Sequence, residues 1–233
     1  MFTIDYRGFG KSTGAPTEAG LITDGRALVN YILDLGIPPE RIVILGQSLG
    51  TAVATAVGLS FCDPSSELLP QPLLGDKATT AGFRSIILVA PFSSLPDLLL
   101  SYRIGGVVPI LAPIRNSPFL VSLVSKYILD TWPTGLRLNA YVSSTPSPSP
   151  HHGAGNVHIL HAINDQDISY VQSEKLFAMA TGREVEELGL GVREVVQEGK
   201  KGVRVELLEY GMHNRVVTFS NVGLAVMRAF DGV

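Results

Sequence analysis

The chain has 233 residues but only one cysteine, Cys62. A single cysteine excludes an internal disulfide, and we expect it to be a small buried side chain in a reducing compartment. The sequence also lacks the C-x-x-C and H-E-x-x-H spacings of common metal sites, so no metal ion and no other cofactor is expected. The net charge is −3 and no run of lysine and arginine occurs, so a nucleic-acid-binding surface is not expected either.

Long apolar runs are also missing. The longest candidate, residues 104–114, is too short to span a membrane and contains two prolines and two glycines. The start of the chain has no basic segment followed by an apolar stretch, as a signal peptide would. We therefore expect the chain as given to be intracellular and cytoplasmic. A longer form could carry a membrane anchor, and peripheral membrane association is left open.

What is present is the pattern of a folded α/β domain. With 45% hydrophobic residues the chain can bury one core, and short apolar runs alternate with stretches of helical spacing. This alternation predicts one domain over residues 1–233, with a mostly parallel sheet and helices on both faces. Strands are expected at residues 2–4, 42–45, 84–90, 156–162 and 203–208, and helices at 16–34, 51–58, 170–181 and 216–230.

Two segments do not follow this alternation. Residues 91–132 are apolar but interrupted by proline and glycine, with short helical stretches at 95–102 and 119–129. We interpret them as a cap or lid that lies over the functional site. Residues 143–155 (SSTPSPSPHHGAG) are of low complexity and predict an exposed linker within the domain.

The most informative stretch is Gly46-Gln47-Ser48-Leu49-Gly50, which joins a predicted strand to a run of small residues. Strand, G-x-S-x-G and helix form a nucleophile elbow, a sharp turn that exposes the serine hydroxyl at the carboxyl end of the sheet. We expect Gly46 and Gly50 to be required because a β-carbon at either position would strike the neighbouring strand or helix. The N-terminus of the following helix would stabilise a developing oxyanion.

Two later loops contain groups that could activate Ser48. A serine nucleophile needs a histidine base, and the base needs an acid that orients it. The stretch HAINDQDI contains Asp165 and Asp167, and GMHN after the last predicted strand contains His213. Because the carboxyl ends of parallel strands meet at one edge of a sheet, these side chains are expected to lie near Ser48.

Together these motifs resemble the α/β-hydrolase family, and within it the monoacylglycerol and lysophospholipid lipase-like α/β-hydrolase-domain proteins. DYRGFGKS is similar to the family's loop after its fourth strand, GQSLG to its elbow, HAINDQDI to its acid-bearing stretch and GMHN to its histidine loop. The resemblance implies Asp165 as the acid, with Asp167 as the alternative, and His213 as the base. It implies the Leu49 N–H as one oxyanion donor. Serine, histidine and acid should form a continuous hydrogen-bonded line.

The resemblance also predicts a strand and a loop that this sequence does not contain. The family's third strand, and the loop that provides its second oxyanion donor, should precede residue 2 and are not found there. We therefore expect one bare edge of the sheet, through which copies of the chain could associate into a homo-oligomer or a partner could bind. We also expect slower catalysis than in a form extended by these elements.

The leading functional hypothesis is a serine hydrolase that cleaves carboxylic esters through a Ser-Asp-His triad and an acyl-enzyme intermediate. The apolar cap favours an ester with a lipid-like acyl chain, of the acylglycerol or lysophospholipid type. A prolyl-oligopeptidase-like serine peptidase is an alternative, since it shares the elbow and the order of the triad. A truncated, non-catalytic relic of a hydrolase that acts as a binding protein is the third hypothesis.

Overall fold

The computed structural model describes residues 1–71, 82–101, 103–104, 108–109, 128–144, 155–185, 187–196 and 201–231. Its strands are β1 (Val43–Gln47), β2 (Ser85–Val89), β3 (Arg103–Ile104), β4 (Val108–Pro109), β5 (Asn156–Ala162), β6 (Gly191–Val195) and β7 (Val203–Leu208). Five of them form one sheet in the order β1-β2-β5-β7-β6. Neighbours in this sheet are parallel except β6, which is antiparallel to β7. Strands β3 and β4 form a separate antiparallel pair.

The described helices are α1 (Glu18–Asp34), α2 (Leu49–Cys62), α3 (Leu95–Ser101), α4 (Thr134–Ser143), α5 (Val171–Thr181), α6 (Met212–Arg215) and α7 (Ser220–Asp231). Short 3₁₀ turns occupy Pro39–Arg41 and Val216–Thr218. At the start of α1 the Thr17 hydroxyl accepts a hydrogen bond from the Gly20 N–H at 3.1 Å, so the cap expected there is confirmed. The predicted α/β fold with a mostly parallel sheet is confirmed as well. None of the described helices is both long and apolar enough to cross a membrane.

The sheet is covered on both faces, as its apolar strands require. All five residues of β2 are buried. Ile86 and Leu88 belong to the larger core, which includes residues of α1, α2, α4 and α5. Ile87 and Val89 point to the opposite face and pack with residues of α7. Successive side chains of a strand alternate between faces, so a strand buried on both sides is apolar throughout.

Helix α2 lies close against the sheet because its side chains are small. Residues 51–61 of this helix are all buried. A β-carbon added at Gly58 would collide with the side chain of Ile86 and touch the Tyr141 ring. This close packing fixes the N-terminus of α2, and with it the preceding Ser48, at the carboxyl end of β1.

The predicted strand at residues 2–4 is wrong. These residues form no strand in the structure, and Phe2 and Ile4 are 46% and 39% exposed. The Phe2 ring instead packs edge-on against Tyr31, with 6.5 Å between ring centroids. A strand needs a hydrogen-bonding neighbour, and in the part of the chain that the structure describes none lies beside this segment.

Helix α4 was not predicted, although Leu138, Tyr141 and Val142 are buried and have helical spacing. Ser143, the first residue of the expected linker, ends this helix, and residues 145–154 of the linker lie outside the described part. The expected final helix starts later than predicted, because the 3₁₀ turn at Val216–Thr218 precedes α7.

The cap predicted over residues 91–132 is only partly within the described chain. Helix α3 agrees with the expected helical stretch at 95–102, and β3 and β4 follow it. Of the stretch expected at 119–129, residues 119–127 lie outside the described part. A cap that covers Ser48 therefore stays a prediction.

Strand β1 is an edge of the described sheet, because it pairs only with β2. The Ser48 N–H donates to the Val89 carbonyl at 3.0 Å. Backbone groups alternate in direction along a strand, so the N–H and C=O groups of Ile44 and Gly46 also face β2. The N–H and C=O groups of Val43 and Leu45 then face outward. The Leu45 side chain is 43% exposed, which is unusual for a strand of this apolar character. These features suit association through the β1 edge.

We predict that a charge on this edge reduces association. In the 233-residue chain, Leu45→Lys should raise the monomer fraction in gel filtration with light scattering over a concentration series, because an edge lysine opposes strand pairing. The matched control is Leu136→Lys on α4, since Leu136 is an exposed leucine (52%) away from the sheet edge. A parent chain that is monomeric at every concentration, or an equal effect of Leu136→Lys, would contradict the prediction.

Candidate active site

Ser48 occupies the turn between β1 and α2 in a conformation that non-glycine residues rarely adopt, with φ 51° and ψ −122°. The turn is held from both sides. The Ser48 N–H donates to the Val89 carbonyl at 3.0 Å, and the Ser48 carbonyl accepts from the Thr51 hydroxyl at 2.6 Å. A residue in such a sparsely populated region costs about 1–3 kcal/mol and persists only where the surrounding structure enforces it. A nucleophile elbow places its serine in a strained backbone conformation of this kind.

The two glycines of the elbow have different roles. A β-carbon at Gly46 would overlap the backbone of Gly50 and Thr51, as predicted. At Gly50 an added β-carbon would meet nothing within 4 Å among the residues that the structure describes. The prediction that Gly50 also avoids a clash is therefore wrong. Gly50 lies inside α2 and its β-carbon position has no neighbour in the described part of the chain, so of the two glycines Gly46 is the one required by the close approach of strand and helix.

The acid loop after β5 holds Asp165 through both carboxylate oxygens. Oδ1 accepts hydrogen bonds from the backbone N–H groups of Asp167 and Ile168, each at 2.9 Å. Oδ2 lies 2.8 Å from Nδ1 of His213. Asp165 is buried, whereas Asp167 is half-buried and contributes its backbone to the loop. The carboxylate that is hydrogen-bonded to His213 is thus Asp165 and not Asp167.

Hydrogen bonding outweighs burial in setting the charge of Asp165. Burial opposes ionisation, but hydrogen bonds from His161, His213 and the Ile168 N–H hold the pKa of the carboxyl well below its usual range. The same bond acts on the histidine in the opposite direction: the hydrogen bond to Asp165 raises the pKa of His213, against a lowering contribution from burial. Asp165 is therefore an anion that stabilises the protonated form of His213.

His213 is fixed by contacts among three loops. It lies on α6, which Gly211 (φ 148°) and Met212 (φ 47°) connect to the last strand through a tight turn. Gln47 of the elbow donates from Nε2 to the His213 carbonyl at 2.8 Å. Asn164 of the acid loop accepts the Met212 N–H at 2.9 Å. These contacts of Gln47 and Asn164 were not predicted, since neither follows from a local sequence pattern.

Ser48 and His213 are not hydrogen-bonded to each other through their side chains in the structure. Both residues are described, and no hydrogen bond joins the Ser48 hydroxyl to the His213 ring. Such catalytic hydrogen bonds are often long without substrate and shorten in the complex. The continuous hydrogen-bonded line from Ser48 through His213 to Asp165 therefore stays a prediction. The N–H of Leu49 belongs to the first turn of α2, where backbone donors have no acceptor within the helix. It is thus available to a ligand.

Asp165, Asp167 and His213 also place three ligand atoms within 4.8 Å of one another, a spacing that could hold a metal ion. Both oxygens of Asp165 and Nδ1 of His213 are already hydrogen-bonded. A metal ion at this position would therefore displace the bond between Asp165 and His213. The donor set fits a hydrogen-bonded acid and base better than a metal centre.

Comparison with known proteins shows the family to which this chain belongs. The model of the alpha/beta hydrolase family matches residues 1–199. The chain belongs to this family. It is similar to the protein YfhR of Salmonella typhi, with 34% identity over 182 residues, which are 77% of this chain and 49% of YfhR. It is also similar to human ABHD12B, with 30% identity over 182 residues, 77% of this chain and 41% of ABHD12B.

Among solved structures, an alpha-beta hydrolase from Vibrio vulnificus resembles the fold with a TM-score of 0.60 at 18% identity. The similarity covers 98% of this chain and 61% of that structure. The chain spans about half the length of the curated relatives that it matches. The comparisons thus show the family and the fold of this chain.

The raised pKa of His213 predicts the pH dependence of any reaction that uses this histidine as a base. The base must be neutral, so activity should fall as the pH drops through the pKa of His213. Because the hydrogen bond to Asp165 raises that pKa above the ordinary 6.5, the acid limb of kcat/KM should have its midpoint above 6.5. A pH profile of ester hydrolysis measures this, and a midpoint below 6 would contradict it.

Proposed function

We propose that this chain is a serine hydrolase that cleaves carboxylic esters through an acyl-enzyme formed on Ser48. One observation carries the proposal: a buried Asp165 is hydrogen-bonded to His213 beside a serine held at a strained elbow. An acid, a histidine and a strained serine at the carboxyl edge of one sheet are the parts that nucleophilic acyl transfer needs. Membership of the alpha/beta hydrolase family supports the same reaction class.

In the proposed reaction, His213 accepts the proton of the Ser48 hydroxyl through Nε2, the ring nitrogen not bonded to Asp165. The serine oxygen attacks the ester carbonyl, and a tetrahedral intermediate forms. His213 then gives the proton to the leaving alcohol, and the Ser48 acyl ester remains. Water, activated by His213 in the same way, releases the acid and restores the serine. Asp165 stays ionised throughout and stabilises the imidazolium that forms twice in each cycle.

The oxyanion of the intermediate is assigned to the N-terminus of α2. The N–H of Leu49, directly after Ser48, has no acceptor within the helix, and the N-terminus of the helix carries the positive end of its dipole. A second donor from another loop is not assigned. One oxyanion donor of this kind contributes about 10²–10³ in rate.

We further propose acylglycerol or lysophospholipid-type lipids as the substrate class. The support is the density of leucine, isoleucine and valine in residues 91–132, which follow β2 at the carboxyl edge of the sheet where Ser48 lies. An apolar segment at this edge would bind an acyl chain by removing its surface from water. A peptide substrate would instead need hydrogen-bonding partners for its backbone.

The test is hydrolysis of a substrate panel by the 233-residue chain. The panel contains p-nitrophenyl esters of short, medium and long acyl chains, a monoacylglycerol, a lysophospholipid and peptide p-nitroanilides. Ester hydrolysis that is lost in Ser48→Ala and rises with acyl length is the expected result. Cleavage of peptide amides in preference to esters would instead identify a peptidase. A folded chain that hydrolyses nothing would favour the non-catalytic relic.

A further inference from the structure

His161 lies next to the proposed acid and is fully buried, as is the Asp165 side chain. Both of its ring nitrogens have partners. Nδ1 lies 2.7 Å from the Ser173 hydroxyl on α5, and Nε2 lies 3.0 Å from the Ile168 carbonyl. Nε2 is also 3.3 Å from Oδ2 of Asp165, the same oxygen that lies 2.8 Å from Nδ1 of His213. One carboxylate oxygen is thus shared by two histidines.

These partners determine where the proton on the His161 ring lies. The carbonyl of Ile168 can only accept a hydrogen bond, so Nε2 carries a hydrogen that it donates there, with Oδ2 of Asp165 3.3 Å from the same nitrogen. Nδ1 then faces the Ser173 hydroxyl, which can either donate or accept. The positive end of the Nε2–H dipole of His161 therefore lies close to the Asp165 carboxylate.

We infer that His161, held by Ser173, is a positioning residue that fixes the Asp165 carboxylate and limits its basicity, and so sets the proton affinity of His213. A partly positive N–H close to Oδ2 stabilises the carboxylate charge and so weakens its stabilisation of protonated His213. The hydroxyl of Ser173 strengthens this donor because hydrogen bonds in a chain polarise one another. The contact with the Ile168 carbonyl also ties the acid loop to the ring, so Oδ2 keeps facing His213.

The direction of the effect follows from the charges around the acid. Asp165 is faced by His161 from β5 and His213 from α6, and the nearby carboxylate of Asp167 also acts on His213. Removing the His161 donor leaves Asp165 more basic, which raises the proton affinity of both Asp165 and His213. Either change moves the acid limb of activity to higher pH. A purely structural role for His161 would lower stability and leave this limb in place.

The experiment compares His161→Leu, His161→Gln and Ser173→Ala with the parent. Leucine removes the donor, whereas the glutamine amide N–H can replace Nε2 and should restore nearly parental behaviour. Ser173→Ala keeps the ring but removes its support. The matched control is Ser85→Ala, because Ser85 is also fully buried and hydrogen-bonded to a carbonyl, that of Asn156, at the opposite end of the sheet.

Two readouts are used on each folded variant: the pH profile of serine labelling by a fluorophosphonate, and the His213 titration from ring-nitrogen NMR, assigned by its loss in His213→Gln. In His161→Leu both midpoints should rise by about half a pH unit. The labelling rate should fall by up to about 10²-fold. Ser173→Ala should show smaller changes in the same direction, and Ser85→Ala should show neither.

Since this inference rests on the proposed function only through the labelling readout, the two can fail separately. A parent that is not labelled at Ser48, but whose His213 titration moves in Ser173→Ala, would reject the proposed function and keep the positioning role. Unchanged His213 titrations in folded His161→Leu and Ser173→Ala would overturn the inference. If His161→Leu does not fold, the Ser173→Ala titration alone decides.

Discussion

Replacing Asp165 with asparagine is expected to lower kcat for ester hydrolysis about 10⁴-fold. The carboxylate accepts the Nδ1–H of His213 at 2.8 Å, and an amide in its place would no longer stabilise the imidazolium formed when Ser48 gives up its proton. An amide N–H turned toward His213 would also favour the wrong tautomer of the ring. Steady-state kinetics on a short-chain ester measure the change, and KM should vary little.

Asp167→Asn is the matched control for this prediction. Asp167 belongs to the same loop, but it reaches Asp165 through its backbone N–H, which the substitution keeps. We expect kcat within a few-fold of the parent. A nearly unaffected Asp165→Asn together with an inactive Asp167→Asn would show that the acid has been assigned to the wrong carboxylate.

The second large effect is expected at the elbow itself. Gly46→Ala places a methyl group against the backbone of Gly50 and Thr51, which cannot move without separating α2 from β1. Overpacking against fixed backbone should cost about 3 kcal/mol of unfolding free energy. For a chain of this size that corresponds to a decrease in Tm of roughly 6–12 °C. Differential scanning calorimetry measures it, and labelling of Ser48 should be lost as well.

Gly50→Ala separates this clash from a general intolerance of alanine in the elbow. It makes the same chemical change four residues later, where the added methyl group has no described neighbour within 4 Å. Tm should be unchanged or slightly higher, because alanine is a better helix former than glycine. Equal destabilisation by both substitutions would contradict the different roles assigned to the two glycines.

The sequence predicted those features whose causes are local. The elbow is encoded by residues 46–50 themselves, and the cap of α1 by Thr17 three residues from its partner. The acid and histidine loops were placed at one edge because they follow strands of a parallel sheet, and the structure joins Asp165 to His213 across 48 positions. In these cases a short pattern and one rule of topology were sufficient.

The features that sequence reasoning missed depend on distant parts of the chain. Residues 2–4 have strand-like composition, but no neighbouring strand is there to pair with them. The amide of Gln47 bonds to His213 across 166 positions, and the elbow motif leaves its residue type free. The open space at Gly50 depends on what surrounds the helix, which no motif describes. Helix α4 is different, since the spacing of Leu138, Tyr141 and Val142 could have revealed it.

Covalent labelling identifies a nucleophilic serine by its position in the chain, and we expect that serine to be Ser48. The parent and Ser48→Ala are each treated with a fluorophosphonate, digested and examined by peptide mass spectrometry, after thermal melting has shown that both are folded. We predict one phosphonylated serine in the parent, Ser48, and no labelling of Ser48→Ala. Phosphonylation at another serine, or equal labelling of the two proteins, would contradict the account.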